Sequence, residues 1–225
     1  MWACASWKGA AGELLLGSAC PGCGAPGWGL CAACSAALAA RDEVRWSVGG
    51  VPAVAAAEYA GVWRACLVAY KERRAWRLSR PLGAALAWAS AGLLPDAGPV
   101  LLVPVPSTAA TVRERGEDVT WRLAREASGL LRRAGVDAAA ARVLRHARAV
   151  GDQSHLDVGA RERNLADSMI ASAGPVAAIV VDDITTTGAT LREAVRALQA
   201  SGTPVLGAAV VAATRRRDGR ATGAR

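Results

Sequence analysis

Two adjacent carboxylates, Asp182 and Asp183, stand between an apolar run and a stretch of small, hydroxyl-bearing residues. The apolar run, residues 179–181, is β-branched and predicts a buried strand that ends where the acids begin. From Leu191 onward the apolar residues recur at helical spacing, so a helix is expected there. The turn between this strand and this helix contains Thr185, Thr186, Thr187, Gly188 and Thr190.

This order of residues suits a ligand that carries both a phosphate and neighbouring hydroxyl groups. A glycine-containing turn that leads into a helix offers unpaired N–H groups and the positive end of the helix dipole, which together favour a phosphate. The threonine hydroxyls add donors without adding charge, and the two acids suit sugar hydroxyls, as acidic residues do beside nucleotide riboses. The alternative is an ordinary strand–turn–helix whose acidic turn is solvated.

Four cysteines near the start of the chain form two Cys-x-x-Cys motifs separated by seven residues. Each motif turns two sulfurs toward one point, so the spacing predicts a structural four-thiolate zinc site. A redox dithiol needs only one such motif, at a helix N-terminus, and two disulfides are disfavoured in a reducing cytoplasm. Cys4 and Cys66 are expected to be bystanders. The predicted zinc ligands are Cys20, Cys23, Cys31 and Cys34.

The composition is that of a globular protein with a surplus of positive charge. The chain has 225 residues, of which 52% are hydrophobic and 20% charged, and its formal net charge is +8. This length allows one domain with a small appendage, and the charge admits either nucleic acid or a pyrophosphate-bearing ligand. Lysine occurs only at positions 8 and 71, so no Gly-Lys-Ser/Thr P-loop exists and an ATP motor is excluded.

Neither a membrane span nor a signal peptide is predicted. No window contains 18 consecutive apolar residues, and the apolar core at residues 14–16 is too short for a signal peptide. We therefore expect a cytoplasmic protein without membrane insertion. His146 and His155 are the only histidines, which excludes a His-rich metal centre; His146 is interpreted either as a polar loop residue or as a general base.

Strands and helices alternate along the rest of the chain, which predicts an α/β domain with a mainly parallel sheet. Sites in such sheets form beyond the carboxyl ends of the strands, so residues 104–107 and 182–190 are expected at one edge. The middle of the segment 142–163 is expected to form a mobile basic loop. Helices are predicted over residues 62–74, 81–94, 119–134 and from 191, and strands over 100–103 and 205–213.

Taken together, these motifs resemble the ComF family of competence-associated, phosphoribosyltransferase-like proteins. The resemblance covers nearly the whole chain, residues 20–214. Its most specific part, Asp-Asp followed by Thr-Thr-Gly-x-Thr, is similar to the 5-phosphoribosyl-1-pyrophosphate (PRPP) signature of type I phosphoribosyltransferases. The other matching motifs are the double cysteine motif, Tyr59-x-Gly61 leading to Lys71, Val103-Pro-Val-Pro106, Arg115-Gly116, Gln153 with Leu156, and Arg161-x-x-Asn164.

The resemblance implies a type I phosphoribosyltransferase-like parallel sheet flanked by helices, with a small N-terminal zinc-binding segment. The zinc-binding segment would span residues 1–50 and the phosphoribosyltransferase-like domain residues 51–214. A basic tail, residues 215–225, is expected to be disordered.

The resemblance also implies roles for the residues that match. Residues 185–190 would hold the 5-phosphate of PRPP, and Asp182 and Asp183 its ribose hydroxyls. The backbone around Val105 and Pro106 would face the pyrophosphate, and Mg²⁺ would accompany it.

A flexible loop over residues 145–163 would close over the site, with Arg145, Gln153 and Arg161 as its catalytic residues. Lys71 and Arg115 either contact pyrophosphate or are surface charges, and the rest of the charged run 71–74 is expected to form a solvated face. The chain departs from the family pattern at residues 117–119, at Glu72 after the lysine and at Ala149 in the loop, which leaves the acceptor and turnover open.

Two functions follow from these expectations. The first is an enzyme that transfers a phosphoribosyl group from PRPP, with Mg²⁺, to an unidentified acceptor. The second is a non-catalytic accessory protein for DNA uptake in natural transformation, which contacts single-stranded DNA or DNA-uptake proteins through its zinc knuckles and basic surface.

Overall fold

A six-stranded, mostly parallel sheet forms the frame of the molecule. The computed structural model describes residues 19–147 and 167–214. The strand order is β1-β2-β8-β7-β3-β4, and β1 alone runs antiparallel to its neighbour. A separate hairpin pairs β5 with β6. The strands are β1 (Val44–Val48), β2 (Val51–Glu58), β3 (Val100–Pro104), β4 (Ala138–Ala140), β5 (Leu144–His146), β6 (Met169–Ala171), β7 (Ala177–Thr185) and β8 (Val205–Ala213).

Helices cover both faces of this sheet, which is why its central strands are apolar on both sides. One core lies between the sheet and the helices α1, α2, α3 and α5. The other lies between the opposite face, α6 and the β5–β6 hairpin. The helices are α1 (Ala32–Ala39), α2 (Gly61–Glu72), α3 (Ser79–Ala91), α4 (Ala109–Arg115), α5 (Val119–Arg133) and α6 (Ala189–Ala200).

The prediction of an α/β fold with a mainly parallel sheet flanked by helices is confirmed. The expected shared edge is confirmed as well, because β3 and β7 are parallel neighbours in which Pro104 lies beside Val181. The N–H of Val105 continues this pairing and donates to the carbonyl of Val181 at 3.0 Å. The chain after β3 therefore begins next to the acidic pair on β7.

One prediction about the strands is wrong. The strand β7 does not stop before the acids but continues through them to Thr185, because β8 still pairs with it at Asp182 and at Thr185. The strand β5 occupies the start of the segment 142–163, because a strand distant in sequence pairs with it, and the middle of that segment lies outside the described residues.

Other predictions concern chain boundaries. The helix expected over residues 81–94 spans Ser79–Ala91. The hairpin of β1 and β2 crosses residue 50, where the predicted domain boundary falls, and the division into domains stays a prediction. Gln153, Arg161, Cys4 and the tail at 215–225 lie outside the described residues.

A buried carboxylate on α6 fixes the β5–β6 hairpin to the domain. Glu193 is 5% exposed and accepts from the backbone N–H of Met169 at 2.9 Å. Arg196 donates to the same carboxylate at 2.7 and 2.8 Å and also to the carbonyl of Met169 at 2.9 Å. Burial raises the pKa of Glu193, but the donors from Arg196 and Met169 outweigh burial, so its pKa lies below the ordinary 4.5.

We predict that Glu193→Gln lowers the free energy of unfolding by about 2 kcal/mol at pH 7, because the buried charge-assisted hydrogen bonds are weakened. A carboxylate whose pKa is lowered on folding stabilises the protein above its unfolded pKa and loses this effect as pH falls through its folded pKa. The difference between wild type and variant should therefore be constant from pH 7 down to about 5 and shrink at lower pH. Urea denaturation at several pH values measures this difference in the free energy of unfolding.

Glu114→Gln, at an exposed position on α4, is the control. An equal loss of stability in both variants would contradict the role assigned to the buried Glu193.

Candidate functional site

The acidic pair lies at the carboxyl end of β7, and the strand continues through both residues. Asp183 is 4% exposed and forms an ion pair with Lys71, whose Nζ lies 2.9 Å from Oδ2 of Asp183. Lys71 stands in the last turn of α2. The structure thus brings Lys71 to the acids, a contact that the sequence could not decide.

Asp182 is half-buried beside Asp183, and its Oδ1 accepts the backbone N–H of Asp183 at 2.8 Å. Burial and the neighbouring charge of Asp183 raise the pKa of Asp182 well above its ordinary value, although Lys71 opposes this shift. One lysine therefore faces two adjacent carboxyl groups. A ligand that donates hydrogen bonds here would stabilise the charged form of Asp182.

The threonine turn follows directly after the acids and ends at Gly188. Gly188 has φ of +74°, a left-handed conformation that favours glycine, and it is the N-cap of α6. Thr187 accepts from the N–H of Ala189 at 3.3 Å, and Thr214 at the end of β8 donates to the carbonyl of Thr186 at 3.3 Å. The turn is therefore held between β8 and the first turn of α6, where Thr190 lies.

A cavity of about 550 Å³ opens beside this threonine turn. The edge strand β1 forms its opposite wall, and Arg192 and Trp46 contribute a guanidinium and an indole. Arg192 lies one helical turn after Gly188, and its N–H donates to the carbonyl of Gly188 at 2.9 Å. The sequence reasoning missed Arg192, although its spacing of four residues from Gly188 was the available signal. The threonine-turn cavity is lined by residues 43–49, 185–188, Arg192, Ala213 and Thr214.

A second, basic cavity of about 470 Å³ lies at the end of β3. Val105, Pro106 and Arg145 line it together, as their predicted roles require. His146 contacts the same turn, with Nε2 3.0 Å from the carbonyl oxygen of Pro106. The complete set of charged and histidine side chains in its lining is Arg113, Asp118, Arg142, Arg145 and His146.

Sequence reasoning missed the contributions of Arg113 and Arg142 to this basic cavity. Arg142 pairs with Asp118 at 3.1 Å, and Asp118 also accepts from Ser107 at 3.1 Å. Three arginines against one carboxylate leave the cavity with an excess of positive charge, which suits an anionic ligand.

The order of strands places these features side by side. Since β7 lies between β8 and β3, the acids stand between the threonine-turn cavity and the basic cavity. An anion-binding turn, two hydroxyl-accepting acids and a second cationic cavity follow one another along one edge of the sheet.

The charged run at the end of α2, residues 71–74, contacts three different parts of the protein: β7, α4 and the cysteine segment. Most of this run was expected to be solvated, and that prediction is confirmed, because Glu72, Arg73 and Arg74 are exposed although each has a partner. Lys71 pairs with Asp183, Glu72 pairs with Arg115 at 3.0 Å, Arg73 donates to the carbonyl of Pro21 at 3.4 Å, and Arg74 donates to the carbonyl of Glu114 at 3.1 Å. Arg115 is thereby tied to α2.

The four-cysteine cluster predicted from the sequence is confirmed. The sulfurs of Cys20, Cys23, Cys31 and Cys34 all lie within 4.8 Å of one another, and those of Cys23 and Cys31 are 3.7 Å apart. Tetrahedral zinc with Zn–S bonds of about 2.3 Å needs sulfurs roughly 3.8 Å apart, so the cluster can hold a metal such as zinc.

The electrostatics of the cluster favour thiolate at one end. Burial raises the pKa of Cys20, but backbone N–H donors from Cys31, Cys23 and Gly22 outweigh burial and bring that pKa to about 6. Burial and the neighbouring cysteines raise the pKa of Cys34, which a bound cation would reverse. Cys66, fully buried on α2, lies outside the cluster, and burial raises its pKa to about 11.

Comparison with known proteins assigns no family. No protein-family model matches the chain, and no curated protein matches it. The resemblance to the ComF family therefore stays a prediction. Within the described residues, the helices are too short or too polar to cross a membrane.

We predict that Cys23→Ser lowers the affinity for a thiolate-binding metal by about 100-fold, because one of four ligands is lost. The absorption of bound Co²⁺, used as a coloured substitute for Zn²⁺, reports both affinity and tetrahedral thiolate geometry. Cys66→Ala is the matched control and should bind one metal per chain as wild type does. Equal affinities in wild type and Cys23→Ser would exclude the four-cysteine site.

Proposed function

We propose that this protein is a PRPP-binding, phosphoribosyltransferase-like protein of the ComF type, with the type I fold and a structural zinc site. The observation that carries the proposal is the sequence of three features along one sheet edge. PRPP has a phosphate at one end, a ribose diol in the middle and a diphosphate at the other end. The threonine turn, the acidic pair and the basic cavity match these groups in the same order.

Each feature supports the proposal by its own chemistry. The N–H groups at the start of α6, the threonine hydroxyls and Arg192 suit the 5-phosphate. Asp182 and Asp183 suit the 2- and 3-hydroxyls of ribose, which are hydrogen-bond donors. The arginines of the basic cavity and the backbone of Val105 and Pro106 suit the diphosphate.

In a transfer reaction, the bond between C1 of ribose and the diphosphate oxygen breaks, and the acceptor's lone pair forms the new bond to C1. The oxygen leaves with the bonding electron pair, so negative charge grows on the diphosphate while positive charge develops on the ribose. Arg145 and its neighbours in the basic cavity would stabilise the leaving group. The acids beside the ribose would stabilise the developing positive charge.

Lys71 has a specific part in this proposal. Its ammonium neutralises Asp183 in the absence of ligand. When ribose hydroxyls donate to Asp183, the ammonium becomes available to the diphosphate. This proposal favours the first of the two alternatives for Lys71, a contact with pyrophosphate.

Metals enter the proposal in two different ways. The thiolates of the four-cysteine cluster are soft ligands that select zinc, and four filled positions are typical of a structural site. Mg²⁺ prefers oxygen ligands and is commonly bound through substrate phosphates, so it enters only as the counter-ion of the diphosphate.

We predict that Arg192→Ala and Arg145→Ala each weaken binding of only one anionic end of the ligand. Arg192→Ala should weaken binding of ribose 5-phosphate by about tenfold, because a charge-assisted hydrogen bond is lost, and leave pyrophosphate nearly unaffected. Arg145→Ala should do the reverse. Titration calorimetry with ribose 5-phosphate, with pyrophosphate and with PRPP plus Mg²⁺ measures all three affinities.

Arg125→Ala, which removes an exposed arginine on α5, is the control for net charge. It should change each affinity by less than about twofold. Failure of wild-type protein to bind PRPP at millimolar concentration would exclude the proposed function. Equal losses for both small ligands in both variants would exclude the assigned order of subsites.

A second candidate function, binding of single-stranded DNA, is favoured by a groove beside the four-cysteine cluster. This groove, a cavity of about 720 Å³, separates the cluster from the start of α3. Trp76 lines it together with three arginines, and Trp28, between the two cysteine motifs, is 55% exposed. Aromatic side chains combined with positive charge suit stacked bases and a phosphate backbone. The groove arginines are Arg74, Arg77 and Arg80.

We predict for this candidate that the double variant Arg77→Glu, Arg80→Glu weakens binding of a fluorescent oligo(dT) by about tenfold or more, because phosphate contacts are lost. Fluorescence anisotropy at several salt concentrations should give an affinity that falls as salt rises, with a smaller slope for the variant. Arg125→Glu, Arg133→Glu makes the same charge change at exposed positions on α5. If both double variants lose equal affinity, the groove is not the binding site.

A further inference from the structure

The helix α2 connects the four-cysteine cluster to the acidic pair. Near its first turns, Val62 packs against the cluster: a Cβ added at Gly22 would lie 3.2 Å from Val62 Cγ1 and 2.8 Å from the Sγ of Cys34. Two turns later, Lys71 holds Asp183 at 2.9 Å. Twelve residues of helix span about 18 Å, so α2 reaches from one site to the other as a single rigid element.

The charged run adds a second link between the same two sites. Arg73 follows Lys71 by two residues, and its guanidinium donates to the carbonyl of Pro21, which stands between Cys20 and Cys23. Arg74 has φ of +54° and so turns the chain sharply at the end of α2. The backbone that carries Lys71 is therefore held on one side by the cysteine segment and on the other by α4 through Arg74 and Glu114.

The contact between α1, which follows the cysteine motifs, and α2 is fully packed. Cys66 on α2 and Leu38 on α1 are 0% and 2% exposed and belong to one apolar core. A close-packed interface of this kind transmits a displacement instead of absorbing it. Movement of the cysteine segment therefore shifts α2 and with it the ammonium of Lys71.

We propose that metal in the four-cysteine cluster fixes the end of α2 and so holds the ammonium of Lys71 beside the acidic pair, where a ligand's diphosphate can reach it, with Val62 and Arg73 as the positioning residues. One consequence, that bound metal raises the affinity for PRPP, rests on the proposed function. Coupling between two binding sites is reciprocal, so PRPP should raise the affinity for the metal by the same factor.

Hydrogen exchange measured by mass spectrometry tests the coupling without any ligand of the acidic pair. Removing the metal with a chelator should accelerate exchange in residues 69–75 by about tenfold, in addition to the expected acceleration in residues 20–40. Arg73→Ala and Val62→Ala should accelerate exchange in residues 69–75 while the metal is still bound. Arg64→Ala, at an exposed position of α2, is the control and should leave this exchange unchanged.

Acceleration confined to residues 20–40 after metal removal would overturn the inference, and so would unchanged exchange in both positioning variants.

A second experiment measures PRPP affinity with and without Zn²⁺, and a loss of about fivefold without metal supports the coupling. Equal PRPP affinity in the two states would overturn it. If PRPP binds in neither state, the proposed function fails, and hydrogen exchange alone decides the coupling.

Discussion

The ion pair between Lys71 and Asp183 is the interaction on which the arrangement of the site depends. Asp183 is buried at the end of a central strand, and a buried carboxylate without a partner costs several kcal/mol. Lys71 supplies that partner from α2, on one face of the sheet only. The pair therefore ties the end of α2 to the end of β7, and α2 also contacts the cysteine segment through Val62 and Arg73.

Charge is distributed unevenly along the sheet edge that carries the acidic pair and the two cavities. The acidic pair is central, and guanidinium groups stand in the cavity on each side of it. Such an arrangement favours a ligand with negative ends and a hydrogen-bond-donating middle over a uniformly charged polyanion, because the acids would repel a continuous chain of phosphates. The groove beside the cysteine cluster lacks an acidic centre, which distinguishes the two surfaces chemically.

Much of the fold could be predicted from the sequence because its signals are local. Apolar runs and helical periodicity are sufficient to identify β3, β8, α2 and α5, and the cysteine spacing is sufficient to predict the cluster. The end of β7 could not be predicted in this way. Its apolar run stops at Val181, but pairing with β8 extends the strand through both acids to Thr185.

The cavity walls were missed for a related reason. The wall opposite the threonine turn comes from β1, which enters the sheet from a distant part of the chain, so nothing in the spacing around Gly188 indicates Trp46. The partners of residues 71–74 are equally distant in sequence, and a run of four charged residues is by itself typical of a solvated surface.

The left-handed conformation of Arg74, at the turn that ends α2, weighs backbone strain against a hydrogen bond. A non-glycine residue in that conformation is disfavoured by about 1–2 kcal/mol, which glycine would avoid. Glycine would also remove the guanidinium that reaches Glu114. Arg74 thus accepts backbone strain and gains a tether to α4, and this tether restricts how far the end of α2, with Lys71, can move.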